Sequence, residues 1–200
     1  MRSRWHLLEL FPLPCLAFLL MVALVAIPAA AQGKAGKEPA PKPPLSTTEE
    51  VLAMWNEAGR KIVAMAEDFP EAKYDFEPNP EVRSFAEQIL HVAGGHYLFL
   101  KAAKGEKWSE ADGNPPRKNY PNKAAIVAFL KKSYADVNAY LKGQGDAGLA
   151  KAVKYPFGNR MVLQSFLWMD FVNHDSEHYG QLVVYYRVNN LVPPESRPRR

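Results

Sequence analysis

The segment HDSEHYGQ, residues 174–181, places two histidines four positions apart inside a long and largely apolar stretch of the chain. A helix completes one turn in roughly 3.6 residues, so His174 and His178 would lie one turn apart on the same face. At that spacing both imidazoles can bind a single metal ion. The same face would carry five further side chains, which are Leu163, Leu167, Asp170, Gln181 and Tyr185. The segment therefore predicts a helix with an inward-facing pair of metal ligands, although two histidines in register by chance would give the same spacing.

Length and composition restrict the kinds of protein that this chain can form. Its 200 residues suffice for one domain, and 48% hydrophobic and 12% aromatic residues can build a core. The single cysteine, Cys15, falls in an N-terminal apolar run, so the rest of the chain has no disulfide, catalytic thiol or thiolate ligand. A metal site must therefore use histidine, aspartate or glutamate. The net charge of +4 is spread along the sequence, without the basic and aromatic stripe that would indicate nucleic-acid binding.

The first 31 residues have the pattern of a secretory signal peptide. The chain opens with MRSR, then runs apolar over residues 11–31 and ends this run in three alanines. A basic start, an apolar middle and small residues at the end are typical of such a peptide, so we expect cleavage near Ala31 and an exported protein, periplasmic or secreted, without a stable membrane span. The run is also long enough to cross a bilayer as an uncleaved anchor. Residues 32–45, rich in Gly, Pro, Lys and Ala, predict a flexible tether.

Apolar residues at helical spacing predict four helices within one domain, residues 46–196. Ser46 with Glu49, and Ser84 with Glu87, have the spacing of capping boxes that open the first two helices. Glycine, asparagine and proline mark the helix ends. The predicted helices run from Ser46 to about Pro70, from Ser84 to about Lys104, from about Lys123 to Lys142, and from about Arg160, capped by Asn159, to Val188. With no convincing alternating strand pattern, the fold class is all-α, a four-helix bundle, followed by a basic tail at residues 197–200.

A third metal ligand has to come from another helix, and the second predicted helix offers His91 and His96. Five residues apart, the two side chains would point about 140° apart, so one site would not use both. Periodicity mildly prefers His96, which falls within the apolar stripe, but spacing alone leaves both histidines open. Between them lies Gly94-Gly95, which costs helix stability by about 1 kcal/mol per glycine relative to alanine. Such a pair indicates a place where a neighbouring backbone or a ligand comes close.

Two motifs resemble those of the DinB/YfiT-like superfamily. Residues 84–93, SFAEQILHVA, are similar to its second-helix motif, in which a serine precedes a ligand histidine by seven residues. Residues 174–187, HDSEHYGQLVVYYR, with Pro193-Pro194 after them, are similar to its fourth-helix motif. The resemblance covers about residues 46–196 and implies a four-helix bundle with one long crossover connection.

The resemblance also implies a divalent metal ion bound by His91, His174 and His178. Three imidazoles without a thiolate suit Zn²⁺ best and Ni²⁺ next, with Fe²⁺ or Mn²⁺ as further candidates. Three protein ligands leave a coordination position for water or substrate, as in catalytic sites. Members of the superfamily carry out thiol-dependent transfer and isomerisation, and hydrolase roles have been proposed for others. We therefore expect a metal-dependent hydrolase or transferase acting on a small molecule; the alternative is a non-enzymatic bundle, stabilised by its metal, that serves as an interaction module.

Several other side chains are candidates for roles around the metal. Asp170, one turn before His174, could orient an imidazole or add a ligand, and Glu177 could act as a general base. Gln181 could hydrogen-bond near the metal. Many members of the superfamily carry an amide side chain at the position of His96. The role of His96 is therefore open: it could support a ligand, contact the substrate or belong to the core. Proteins that resemble this one are often dimers, so a homodimer is a further expectation.

Overall fold

The computed structural model describes residues 45–198. The predicted signal peptide, almost all of the tether and the last two residues of the basic tail lie outside this part of the chain. The described residues form four α-helices, which are α1 (Thr47–Asp68), α2 (Phe85–Ala103), α3 (Lys123–Leu149) and α4 (Gln164–Val188). One antiparallel hairpin, β1 (Ala152–Lys154) and β2 (Met161–Leu163), precedes α4. The protein is thus an all-α four-helix bundle, and none of these helices is long and apolar enough to cross a membrane.

The first two helices begin where the capping boxes predict. The Ser46 hydroxyl accepts from the backbone N–H of Glu49 at 3.3 Å, and the Glu49 carboxylate accepts from the Ser46 N–H at 2.9 Å. Ser84 and Glu87 make the same pair of hydrogen bonds, again at 3.3 and 2.9 Å. Replacing such a serine by alanine typically costs about 1 kcal/mol of stability. The second box fixes the start of α2, and with it the position of His91 two turns further on.

The start of α4 and the end of α3 differ from the prediction. Residues 161–163 form β2 instead of the first turn of α4, and Asn159 lies in the hairpin loop and not at a helix cap. Gly158, with φ of 85°, allows the tight loop that joins the two strands. Strands of three residues are too short to show alternation in a sequence. Helix α3 continues to Leu149 across a break at Gly145, where φ is 60° and ψ is −177°.

The helices pack in an order that differs from that of a simple up-and-down bundle. Helix α1 packs against α3 and α4, and α2 packs against the same two helices. The sequence neighbours α1 and α2 therefore lie at opposite corners, and the long connection at residues 104–122 leads from α2 to α3. In the core, the fully buried ring of Trp55 packs against Tyr134, Trp168 and Phe171, at centroid distances of 5.0, 5.8 and 6.3 Å. Pairing α2 with α4 brings the two histidine-bearing segments together.

Candidate metal centre

Three histidines converge where α2 meets α4. His91 comes from α2, whereas His174 and His178 lie one turn apart on α4. Each offers one ring nitrogen, and these three atoms all lie within 4.8 Å of one another. The Nε2 atoms of His174 and His178 are 3.0 Å apart. No other group of three histidine, cysteine or acidic side chains converges in this way within residues 45–198.

The loop before α3 orients the ring of His91. Its Nδ1 lies 3.0 Å from the carbonyl oxygen of Gly113 and 3.0 Å from Oδ1 of Asn114. Because a carbonyl oxygen can only accept, Nδ1 carries the proton and Nε2 keeps its lone pair. Hydrogen bonds of this kind to the far nitrogen typically orient histidine ligands in metal sites. Neither Gly113 nor Asn114 was a candidate from the sequence, because their closeness to His91 depends on how the loop folds back over α2.

The surroundings of His91 and His178 favour the neutral form of these two imidazoles. Burial lowers the pKa of His178 to about 3, with smaller contributions from the neighbouring His174 and His91. Burial also lowers the pKa of His91, with further contributions from Arg83 and His174. Neutral imidazole is the form that binds a metal ion. The Nδ1 atoms of His174 and His178 are buried without a hydrogen-bond partner, which leaves Nε2 as the nitrogen that each ring presents to the cluster. The donor set therefore fits a divalent cation of the Zn²⁺ type.

The two glycines of α2 make the close approach possible. A Cβ atom on Gly95 would lie 2.8 Å from the ring of Phe171 and 3.9 Å from Cε1 of His174. One on Gly94 would lie 2.5 Å from Pro115 and 2.7 Å from the backbone oxygen of Asp112. Contacts below 3.0 Å do not occur for real Cβ atoms, so both positions require glycine or a shift of the neighbour. The prediction that a neighbouring group comes close at Gly94-Gly95 is confirmed.

Behind the cluster lies a buried carboxylate, Asp175, that is not predicted from the sequence. Asp175 is fully buried, and its Oδ2 accepts from the Tyr134 hydroxyl at 2.7 Å and from His96 Nε2 at 3.2 Å. Burial alone would raise the pKa of Asp175, but the charge of His96 and these hydrogen bonds hold it below its ordinary value. Its Oδ1 lies 4.0 Å from Nδ1 of His174, the adjacent candidate ligand. Position i+1 of a ligand normally faces away from the site, which is why the pattern gave no signal for Asp175.

His96 belongs to this network and not to the three-histidine cluster. The Ser133 hydroxyl lies 2.7 Å from His96 Nδ1 and 2.7 Å from the carbonyl oxygen of Leu130. His96 Nε2 faces the Asp175 carboxylate at 3.2 Å, and because a carboxylate only accepts, Nε2 carries a proton. Three aromatic rings surround His96 at centroid distances of 4.7, 4.4 and 5.2 Å, namely Trp55, Tyr134 and Phe171.

The other candidates from the sequence lie outside the cluster. Asp170 is half-buried and accepts from the Tyr155 hydroxyl at 2.6 Å, so it supports the hairpin loop and not an imidazole. Glu177 is exposed and accepts from Asn173 at 3.1 Å. Gln181 is exposed, one turn beyond His178, and accepts from the amide of Gln88.

Two positions assigned to the inward face of α4, Leu163 and Gln181, were wrong, since both are exposed. Leu163 is 50% exposed because it ends β2 and does not belong to the helix. Leu167 and Tyr185 are buried as predicted, at 0% and 4% exposure.

Fold and cluster together define a class of protein, a four-helix bundle in which the second and fourth helices bring three histidines to one point. The chain belongs to the DinB superfamily, whose family model matches residues 54–182.

Solved structures share the fold. The chain is similar to a DinB-like protein from Bacillus cereus, with 21% identity and a TM-score of 0.60 over 73% of this chain and 95% of that one. A DinB-like protein from Bacillus subtilis, YjoA, has 18% identity and a TM-score of 0.58 over 76% of this chain and 99% of that one. YfiT from Bacillus subtilis has 12% identity and a TM-score of 0.56 over 76% of this chain and 94% of that one. YfiT is described as a probable metal-dependent hydrolase with an unusual four-helix bundle topology. At these identities the likeness shows the fold alone. No curated protein matches the chain.

Proposed function

We propose that the protein is a metal-dependent enzyme, a hydrolase or group transferase for a small molecule, whose divalent metal ion is held by His91, His174 and His178. The observation that carries this proposal is the convergence of three ring nitrogens within 4.8 Å at the junction of two helices. Zn²⁺ suits the donor set best and Ni²⁺ next, with Fe²⁺ and Mn²⁺ after them. When bound, such an ion supplies Lewis acidity, either to a water molecule or to a substrate carbonyl.

The chain's own residues prepare this centre in three ways. Gly113 fixes the ring of His91 by accepting from Nδ1, so that Nε2 faces the cluster. The carboxylate of Asp175 lies beside His174, and its bonds to His96 and Tyr134 tie α4 to α2 and α3. The ring of Phe171 packs against that of His174 at a centroid distance of 4.8 Å and gives one side of the cluster an apolar wall. A site held rigidly in this way loses little free energy in ordering its ligands.

Of the two reactions, we propose hydrolysis first. The predicted export would place the protein away from cytosolic thiol cofactors, whereas water is present everywhere. The description of YfiT as a probable metal-dependent hydrolase agrees with this choice. Thiol-dependent transfer remains the second reaction to be tested on the same centre.

A purely structural metal site is a less favoured alternative. Structural zinc sites are closed by four protein ligands, whereas catalytic sites keep a position open. The cluster offers three histidines, and a cavity of about 220 Å³ reaches two of them, His91 and His174. An interaction module stabilised by its metal would need neither the open position nor the cavity.

Metal analysis of the purified protein tests the proposal. Mass spectrometry should find about one equivalent of Zn or Ni, and His174→Ala should lose it. Glu177→Ala is the matched control, since Glu177 is exposed on the same helix and lies outside the cluster. Wild-type protein that takes up no metal after exposure to several divalent ions would overturn the proposal. A loaded protein justifies a screen of ester, amide and thiol-transfer substrates.

We further propose that the protein acts outside the cytoplasm, on the pattern of residues 1–31, which lie outside the described residues. Expression of the full chain, cell fractionation and intact-mass measurement test this. The expected result is a periplasmic or secreted product that lacks about the first 31 residues. A cytosolic product of full mass would contradict the proposal, and a membrane-bound product of full mass would indicate an uncleaved anchor.

A further inference from the structure

A small cavity opens from one side of the three-histidine cluster. Its volume is about 220 Å³, and the imidazoles of His91 and His174 form part of its wall. Most of the remaining wall is apolar and comes from α2, α4 and the hairpin loop, through Gly95, Leu98, Phe99, Phe157 and Phe171. Polar groups at the edge come from Glu110 and the segment Gly113-Asn114. The cavity therefore joins the proposed metal position to an apolar compartment.

The aromatic wall is held in place by its own contacts. Phe171 packs edge-on against Phe99 at a centroid distance of 4.3 Å and lies 4.8 Å from the ring of His174. Gly95 leaves room for the Phe171 ring, since a Cβ there would approach it to 2.8 Å. Phe157 lies 5.9 Å from Phe99 and 6.0 Å from Trp108, and it is 52% exposed. It therefore forms the part of the aromatic wall that borders solvent.

Size and lining together indicate what the cavity holds. An engineered cavity of about 150 Å³ lined by aliphatic and aromatic side chains stays dry and binds benzene. Pockets for drug-sized ligands measure about 300–1,000 Å³. At about 220 Å³, this cavity accommodates one aromatic ring or one short branched alkyl chain. A charged or strongly polar group in it would lose its hydration without gaining hydrogen bonds from the phenylalanines.

Other cavities near the cluster have a different character. A larger one of about 750 Å³ is lined by Arg83, Gln88, Gln181 and Tyr185 among others, and by none of the three histidines. A smaller one of about 190 Å³ touches His91 only and is lined by Arg83, Glu87 and Arg117. Neither offers an apolar wall beside two candidate ligands. The aromatic cavity is the one that would select a substrate by its apolar part.

We infer that this cavity is the pocket for an apolar group of the substrate, a single aromatic ring or a short branched alkyl chain attached directly to the group that reaches the metal. This inference rests on the proposed metal centre. Phe157 and Leu98 are then specificity-determining residues. A substrate whose corresponding group is charged or as small as a methyl would gain little from the cavity.

Two hydroxamates that differ only in their apolar group test the inference. Both acetohydroxamate and benzohydroxamate chelate zinc, but only the second carries a ring. Calorimetric titration of the zinc-loaded protein should show that benzohydroxamate binds at least about tenfold more tightly, since burial of a ring typically exceeds that factor. Phe157→Ala should reduce the ratio several-fold. Phe166→Ala is the matched control, since Phe166 is also an exposed phenylalanine, packs on Tyr155 and lies outside the cavity wall.

A second readout does not need the metal. Toluene added to the metal-free protein should shift the NMR signals of the Leu98 methyl groups, which line the cavity. The methyl groups of Leu100, on the same helix and nearly as buried but away from the wall, serve as the internal control. Phe157→Ala should weaken the effect at Leu98.

The outcomes separate this inference from the proposed function. Equal affinities for the two hydroxamates, with no toluene shift at Leu98, would overturn the pocket while leaving the metal centre in place. A tenfold ratio of the two hydroxamate affinities that is the same in Phe157→Ala as in the wild type would also overturn the pocket. If neither hydroxamate binds the zinc-loaded protein, the open metal position fails, and with it the proposed function.

Discussion

His96 Nε2 lies 3.2 Å from Asp175 Oδ2, and neither side chain is exposed to solvent. The pair links α2 to α4 directly behind the candidate ligand His174. A buried pair of polar groups adds little stability compared with apolar side chains of the same size, but removing one partner is costly because it leaves the other buried without its hydrogen bond. We therefore expect the pair to fix how α2 and α4 are aligned, and with it the geometry of the histidine cluster.

Asp175→Asn should destabilise the fold and weaken the metal site together. The change replaces a buried carboxylate that accepts hydrogen bonds from His96 and Tyr134, so the free energy of unfolding should fall by about 3 kcal/mol. Metal affinity should fall by roughly tenfold or more, as for other residues that support a ligand. Urea unfolding and a competition titration with a zinc indicator measure the two effects. Asp170→Asn, on the same helix but bonded to Tyr155, should leave metal affinity unchanged.

A double-mutant cycle with His96→Gln isolates the pair. If the two side chains act as one unit, the free energy of unfolding lost in the double variant should be smaller than the sum of the losses in the two single variants, by about 1–3 kcal/mol. Strictly additive losses would show that the two residues stabilise the protein independently.

The two ring nitrogens of His96 face different partners. Nδ1 lies 2.7 Å from the Ser133 hydroxyl, and Nε2 lies 3.2 Å from the Asp175 carboxylate, which can only accept. The ¹⁵N chemical shift of Nε2 should therefore fall in the range of protonated nitrogens, and Ser133→Ala should move the Nδ1 shift in particular. An unprotonated Nε2 in the wild-type protein would contradict this hydrogen-bond assignment.

Gly95→Ala should destabilise the protein although alanine favours helices. The added methyl would meet the Phe171 ring at 2.8 Å, and overpacking of this kind typically costs about 1–3 kcal/mol. Metal affinity should fall as well, because Phe171 packs against His174. Gly180→Ala is the matched control in α4, with no group within 4 Å of its new Cβ, and should raise the free energy of unfolding by about 0.5–1 kcal/mol. Thermal unfolding measures both, and a Gly95→Ala variant more stable than the wild type would refute the close-packing argument.

Removing the metal should lower the melting temperature without unfolding the protein. The buried core around Trp55 and around Phe85 does not depend on the cluster, so the helices should persist after chelation. Zinc at 100 times its dissociation constant should then add about 2.7 kcal/mol of stability. Circular dichroism before and after chelation measures helix content, and its collapse would favour a structural role for the metal over a catalytic one.

The local parts of the structure were predictable from the sequence. Capping boxes at Ser46 and Ser84 depend on residues three apart, and the pair His174/His178 depends on a single helical turn. The pair Gly94-Gly95 also gave a correct signal, since two adjacent glycines in a helix are costly unless something packs close to them.

Features that depend on tertiary packing were missed. Asp175 is adjacent to His174 in sequence, and only the position of α3 makes it a buried acceptor for Tyr134. The support of His91 by Gly113 depends on the path of a loop whose composition has no periodicity. Strand β2 falls where the sequence predicts the first turn of α4, because an apolar run of three residues fits the period of a helix as well as that of a strand.

The candidate ligands come from parts of the chain that are far apart, and this separation gives the metal the character of a cross-link. Two ligands lie one turn apart on α4, whereas His91 lies earlier in the chain, on α2, with α3 and the hairpin between them. In the unfolded chain, bringing these segments together would cost loop-closure entropy. In the native protein, packing of α2 against α4 has already met that cost. Tight metal capture should therefore follow docking of these two helices, so that the rate of metal uptake during refolding reports how fast they dock.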